Sequence, residues 1–263
     1  MVYRSLLYFL TLALMVFLFL SCDSQPTQVE NGDNGDNGPP DNGTVYSHTD
    51  APGNAAPDFL LEENFDELIV EIQYMPGARP VDESLDELRV FLENHLNKQI
   101  TIFELEEIPS GNQESYSAAD VRDLEAEHRQ HFTVNSTLAS YNIFVDGEYT
   151  QENVLGIAYY NTSNAYFGET ISRVSGSPPF NPSRRNIEGT VLRHEYGHLI
   201  GLVNNGVPME EHHQENGAHC SDEECVMFAS VNTSDFFFNN LFDGSIPDLD
   251  DFCLADIEGF RSE

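Results

Sequence analysis

Five residues carry the strongest chemical signal in this sequence: His194-Glu195-Tyr196-Gly197-His198. Two histidines four apart on a helix project from one side, one turn above the other. Both imidazoles can then reach one metal ion, and zinc is the ion that favours such nitrogen donors. Glu195 follows the first histidine and is placed to take a proton from a metal-activated water. The surrounding stretch, from about Ile187 to Leu202, supplies Val191, Leu192, Leu199, Ile200 and Leu202 as apolar faces for that helix. Gly201 stands where a left-handed turn would end it. Catalytic zinc takes three protein ligands and keeps a fourth position open, so a third donor is required. Downstream the candidates are His219, His212 or His213, and the acidic side chains Glu215 and Glu224.

These groups need a scaffold. Leu68 to Tyr74 reads as a strand closed by Pro76-Gly77, and Ile100 to Leu105 as a second, ended by Pro109-Ser110-Gly111. Between them Leu85, Leu88, Phe91, Leu92 and Leu96 repeat at helical spacing, with Asp82 or Ser84 as the cap. A second helix is expected from Ser117 to about His131, with Val121, Leu124 and His128 on one face. Tyr141–Val145 and Leu155–Tyr160 follow as strands. The glycine-bearing strand 155–160 is either an ordinary sheet strand or an edge strand. Phe252, Ala255 and Ile257 would pack a final helix under the site. Strands and helices alternate at first and strands cluster later, which predicts a mixed α/β (α+β) domain. His48, His95, His128 and His131 lie away from the signature and are read as surface or packing residues.

The run His194-Glu195-x-x-His198-x-x-Gly201 resembles the start of the metzincin signature. Most metzincins would place the third ligand at position 204, which is Asn204 here, a poor zinc ligand. The later segment His219-Cys220-Ser221-Asp222-Glu223-Glu224-Cys225-Val226-Met227 resembles the archaemetzincin branch, displaced by a 17-residue insertion, Leu202 to Ala218. Leu202 to Gly206 with His212-His213 also resembles a group of exported bacterial metalloproteases with the same interrupted signature. The resemblance implies a metzincin-like zincin domain with a twisted mixed sheet, an active-site helix and a C-terminal helical subdomain. It implies one catalytic zinc held by His194, His198 and His219, Glu195 as general base, and Met227 in the turn beneath the metal. The activity implied is hydrolysis of peptide bonds in a protein or peptide substrate. Phe228 stands where some metzincins carry a tyrosine that helps bind the oxyanion, so no such helper is assigned. Archaemetzincins bind a second, structural zinc through the corresponding cysteine pair and a later Cys-x-x-Cys. Only Cys253 follows here, so that site is incomplete. Two readings from other classes compete: a surface-anchored binding or adhesion protein with a structural or degenerate zinc site, and a zinc hydrolase of a non-peptide amide.

Charge and targeting complete the picture. The 263 residues carry 45 acidic and 11 basic side chains, a net charge of −34, which excludes nucleic acid as a partner. At 40% hydrophobic and 11% aromatic residues the chain still has material for a core. Arg4 followed by the apolar run Leu6–Leu20 has the order of a secretory signal. Phe19-Leu20-Ser21-Cys22 resembles a bacterial lipoprotein signal, with lipid on Cys22 providing membrane attachment. Residues 1–21 are then the signal peptide, 22–64 a flexible tether rich in Gly, Asn, Asp and Pro, and 65–263 the metalloprotease domain. In an oxidising compartment a Cys220–Cys225 or Cys225–Cys253 disulfide is expected. From Asn205 to Glu263 there are 14 acidic residues and one basic one, Arg261, a field that favours cationic peptides.

Overall fold

A computed structural model of the chain describes residues 45–176, 181–229 and 245–262. The expected signal peptide, Cys22 and most of the expected tether lie outside the described residues. Among those described, no helix is long and apolar enough to cross a membrane.

The sheet is mixed, with spatial order β2-β1-β5-β8-β7, where β1 is Glu67–Tyr74, β2 Gln99–Ile102, β5 Thr137–Val145, β7 Gly156–Tyr160 and β8 Ser163–Phe167. Strand β1 pairs in parallel with β2 and β5, and β5 in parallel with β8. Strand β7 alone in this order runs antiparallel, on the outer side of β8. A two-residue strand, β3 (Glu106–Glu107), extends the parallel pairing at the end of β1. Small strands β4 (Ser115–Tyr116) and β6 (Glu148–Tyr149) pair with each other away from the main sheet.

Eight of the nine residues of β5 are buried, as a central parallel strand covered on both faces must be. One face is covered by α2 (Asp82–His95) and α5 (Arg184–Ile200), through Leu85, Leu88, Phe91 and Leu92 from the first and Ile187, Val191, Leu192 and Leu199 from the second. On the other face lies α3 (Ala118–His128), where Val121 joins Tyr141, Ile143 and Ala165 in a second apolar cluster. Helix α3 starts in a capping box: Ser117 Oγ accepts from Asp120 N, while Asp120 reaches back to Ser117 N. The connector α4 (Gly168–Val174) follows β8, and α6 (Asp251–Ser262) closes the chain.

Several expectations shift. The N-cap of α2 is Val81, without a side-chain cap hydrogen bond, in place of Asp82 or Ser84; Glu188 Oε2 accepts from Val81 N at 2.8 Å and from Ser84 Oγ at 2.9 Å. The second predicted strand stops at Ile102 rather than Leu105. Folded structure also begins earlier than Phe65. Helix α1 (Ala56–Leu60) buries Ala56, Phe59 and Leu60 in the main core, with Pro57 in its first turn. Residues 45–64 are therefore not all tether. In α6 the buried face is Cys253, Asp256 and Ile257, while Phe252 is 41% exposed and Ala255 faces outward.

Helix α5 is the positioning element. Fourteen of its 17 residues are buried, so its sides pack on all quarters and no amphipathic stripe remains. Ser183 Oγ caps its start by accepting from Asn186 N, and Gly201, at φ +88°, ends it in the left-handed turn expected. Tyr196 fixes the helix to the sheet: its hydroxyl lies 2.8 Å from Ser140 Oγ and accepts from Asn142 Nδ2 at 2.9 Å, both on β5.

Candidate metal centre

His194 and His198 come from α5, and His219 from a small hairpin inside the downstream segment. That hairpin pairs β9 (Gln214–Glu215) with β10 (His219–Cys220) antiparallel, with Glu215 opposite His219. Its turn holds Asn216 at φ +52° and Gly217 at φ +85°, the left-handed backbone that Asn-Gly pairs adopt most readily. The ligand atoms of His194, His198 and His219 all lie within 4.8 Å of one another. His194 Nε2 and His198 Nε2 are 3.2 Å apart. Two nitrogens on a tetrahedral zinc at about 2.0–2.1 Å each would stand about 3.3 Å apart, so the pair already has the required spacing.

The remaining ring nitrogens explain why Nε2 faces inward. His194 Nδ1 lies 2.7 Å from the carbonyl of Val226 and donates to it, and His219 Nδ1 lies 2.8 Å from the carbonyl of Asn216. Outer hydrogen bonds of this kind fix the tautomer that leaves Nε2 as a lone-pair donor. His219 Nε2 is buried without a hydrogen-bond partner. Burial, with His219 adding to it, pushes the His194 imidazole down to about pKa 3, and burial holds His198 well below its usual range. The His194 and His198 rings are neutral at physiological pH, the form that binds metal. The donor set fits zinc.

Glu195 sits beside this cluster, only 1% exposed, and its Oε1 has no hydrogen-bond partner. Burial raises its carboxyl to about pKa 8 against a lowering contribution from the backbone of Ala158 on β7. A cation arriving beside it favours the ionised form. Strand β7 approaches closely because position 156 is glycine: a Cβ there would stand 2.7 Å from Val191 Cγ1 and 3.0 Å from Glu195 Cγ. This strand is the last in the sheet order, next to the site.

Beneath the histidines lies Met227, fully buried in the turn after Cys225. Its sulfur fills the space that a side chain at Gly197 would occupy, one residue before His198. A Gly197→Ala substitution therefore forces Met227 to move and should cost about 1–3 kcal/mol of stability by overpacking. A denaturation midpoint unchanged from the parent protein would refute this packing account.

The other third-ligand candidates separate cleanly. His212, Glu215 and Glu224 are exposed, and Asn204 is exposed at φ +58°. His213 is buried but turned away, with Nε2 2.8 Å from Asp256 Oδ2 and Nδ1 3.3 Å from Cys220 Sγ. The cysteines depart from expectation. Cys220, Cys225 and Cys253 are unbridged, and the Cys225 and Cys253 sulfurs stand 3.7 Å apart, against about 2.05 Å in a disulfide. Sequence reasoning missed the grouping of His213 with these cysteines and Asp256. The helical spacing Cys253–Asp256, one turn apart on the same face, was the available signal.

No protein-family description matches this chain, and no curated protein matches it. Two solved structures align with it. Archaemetzincin from Methanopyrus kandleri aligns over 75% of this chain and 97% of its own, with a TM-score of 0.50 and 14% identity. Archaemetzincin from Archaeoglobus fulgidus, complexed with malonate, aligns over 72% and 99%, with a TM-score of 0.41 and 14% identity. The Methanopyrus likeness shows the fold: the domain is a mixed α/β unit of archaemetzincin-like architecture.

Proposed function

We propose that the protein is a zinc-dependent endopeptidase with His194, His198 and His219 as ligands of one catalytic ion and Glu195 as general base. The observation that carries this reading is the convergence of three imidazole Nε2 atoms beside a buried carboxylate oxygen without a partner. A purely structural zinc site has no use for such a carboxylate, so the arrangement favours hydrolysis over adhesion. Zinc held there supplies Lewis acidity and a water whose pKa is lowered towards ~7. Glu195 accepts the proton of the attacking water and hands it to the departing amine. Strand β7, at the edge of the sheet beside Glu195, offers backbone groups along which an extended peptide can lie.

The test is cleavage of casein by zinc-loaded protein. Turnover should stop on chelation, return with added zinc and be missing from a Glu195→Gln control. Chelator-resistant cleavage would refute the reading. The same proposal places the enzyme outside the cytoplasm as a lipoprotein anchored through Cys22. Growth with a tagged fatty acid should label the full-length protein and leave a Cys22→Ala variant unlabelled; equal labelling of both would remove the anchor.

A further inference from the structure

Arg193 immediately precedes the first histidine of the proposed site, but its side chain runs towards α2. It is 6% exposed, and burial pulls its guanidinium below the usual arginine range. Nη2 donates to Glu87 Oε2 on α2 at 2.7 Å, and Nη1 donates to the carbonyl of Pro247 at 3.1 Å. The guanidinium carbon lies 5.7 Å from the centre of the Phe91 ring. Among the described residues its buried Nε has no partner. Taking a charge out of water for one ion pair adds little stability, because desolvation offsets the attraction. Glu87 also has a second cation, Arg185, so it does not depend on Arg193 for its charge. Stability alone is a weak reason for an arginine here.

What the side chain holds is a piece of backbone behind the metal centre. Residues 246–248 touch α2, α5 and the turn of Met227. Ile246 packs on α5 at Gly189, where a Cβ would stand 2.8 Å from its Cδ1. His95 Nε2, at the end of α2, lies 2.8 Å from Asp248 Oδ1. The carbonyl of Asp248 accepts from Val226 N at 2.9 Å. The carbonyl of Val226 in turn receives His194 Nδ1 at 2.7 Å. A run of contacts thus leaves α5 at Arg193, passes through Pro247-Asp248 and Val226, and returns to α5 at His194. Without the donor at Arg193, the backbone that steadies the Val226 carbonyl is held less firmly. That carbonyl fixes the tautomer and tilt of the His194 ring.

We infer that Arg193 is a positioning residue of the metal centre, fixing Pro247-Asp248 and through them the Val226 carbonyl that orients His194. The inference rests on His194 being a ligand, as proposed above. It assigns the buried guanidinium a geometric task that an apolar side chain of equal length could not perform.

The test is zinc affinity of the full-length protein, measured by competition with a chelating dye, beside its melting temperature. Arg193→Met keeps an unbranched chain near Phe91 and removes the unpartnered N–H. Its melting temperature should match or exceed the parent's, since a buried ion pair replaced by an apolar chain is often neutral or stabilising. Its zinc affinity should fall about tenfold, the low end of what an outer partner of a metal ligand contributes. Arg185→Met removes the other cation of Glu87 without touching Pro247 and should keep the parent affinity. Arg193→Lys keeps one donor but cannot span Pro247 and Glu87 together, so its loss should be smaller yet measurable. That variant decides should Arg193→Met not fold. Parent-level affinity in the Arg193 variants, or an equal fall in Arg185→Met, would overturn the inference. Zinc affinity unchanged by His194→Ala would instead refute the ligand assignment, and the inference with it.

Discussion

Replacing Glu195 with Gln should leave zinc content unchanged and lower kcat/KM on a peptide substrate by about 10²–10⁴-fold, the usual contribution of a positioned general base. The substitution keeps volume and removes only proton affinity. Glu195 is not among the three clustered histidines, so the metal has no reason to leave. The carboxyl is buried and its Oε1 is unpartnered, so the amide enters the same space without breaking a hydrogen bond at that oxygen. Folding should therefore survive. Measured together, metal content, melting temperature and kcat/KM isolate the chemical role. Retained proteolysis would show that the proton goes elsewhere. Loss of zinc in this variant would show instead that Glu195 holds the metal, and that the ligand assignment is incomplete.

How much of this was legible in the sequence depended on how local the determinant was. His194 and His198 could be placed because helical geometry fixes two side chains four apart, and Gly201 marked where that helix stops. The helix itself was less visible than its motif: α5 is buried on nearly all sides, which erases the stripe that periodicity detects. Strand β8 went unpredicted because Ser163-Asn164-Ala165-Tyr166-Phe167 does not look apolar. Its polar side chains are buried among other polar groups, as where Asn164 Nδ2 donates to Asn142 Oδ1 on the neighbouring strand and Ser163 Oγ donates to Glu125 Oε1. The start of the domain was missed for the opposite reason. Ala55, Ala56, Phe59 and Leu60 follow a long Gly- and Asn-rich tract, and only the tertiary core shows that they are buried.

The cysteines illustrate the limit of spacing arguments. Counting three thiols in a sequence that carries a secretory-like start points to one bridge and one orphan. Nothing in that count brings in His213 or Asp256, because their approach depends on the hairpin folding back against α6. The same hairpin separates two groups of side chains. His219 and His213 lie six residues apart on one short element, yet His219 joins the histidines of α5 while His213 meets the sulfurs. Antiparallel pairing at Gln214–Cys220 and Glu215–His219 holds both in register, so a loosened hairpin would be felt at both groups.

That coupling makes His219→Ala the most informative ligand change. The substitution removes one of three imidazoles and leaves two, which is short of what holds a catalytic zinc. Losing only an outer partner of a metal ligand costs about 10–100-fold in affinity, so losing the ligand itself should exceed ~100-fold. After desalting, the variant should carry one zinc fewer than the parent and show no chelator-sensitive proteolysis. Its fold should persist, because His219 is half-buried and its Nε2 makes no hydrogen bond that the core needs. Two controls assign the loss. His212→Ala, at an exposed ring of the same insertion, should leave both zinc content and activity at the parent level. His213→Ala, whose ring faces Asp256 and Cys220 instead of the α5 histidines, should keep the chelator-sensitive proteolysis that His219→Ala loses. Different outcomes from two histidines six residues apart follow only if His219 alone joins the α5 pair. Full zinc and full activity in His219→Ala would return the third ligand to another residue, and with it the reading of the hairpin as the element that completes the site.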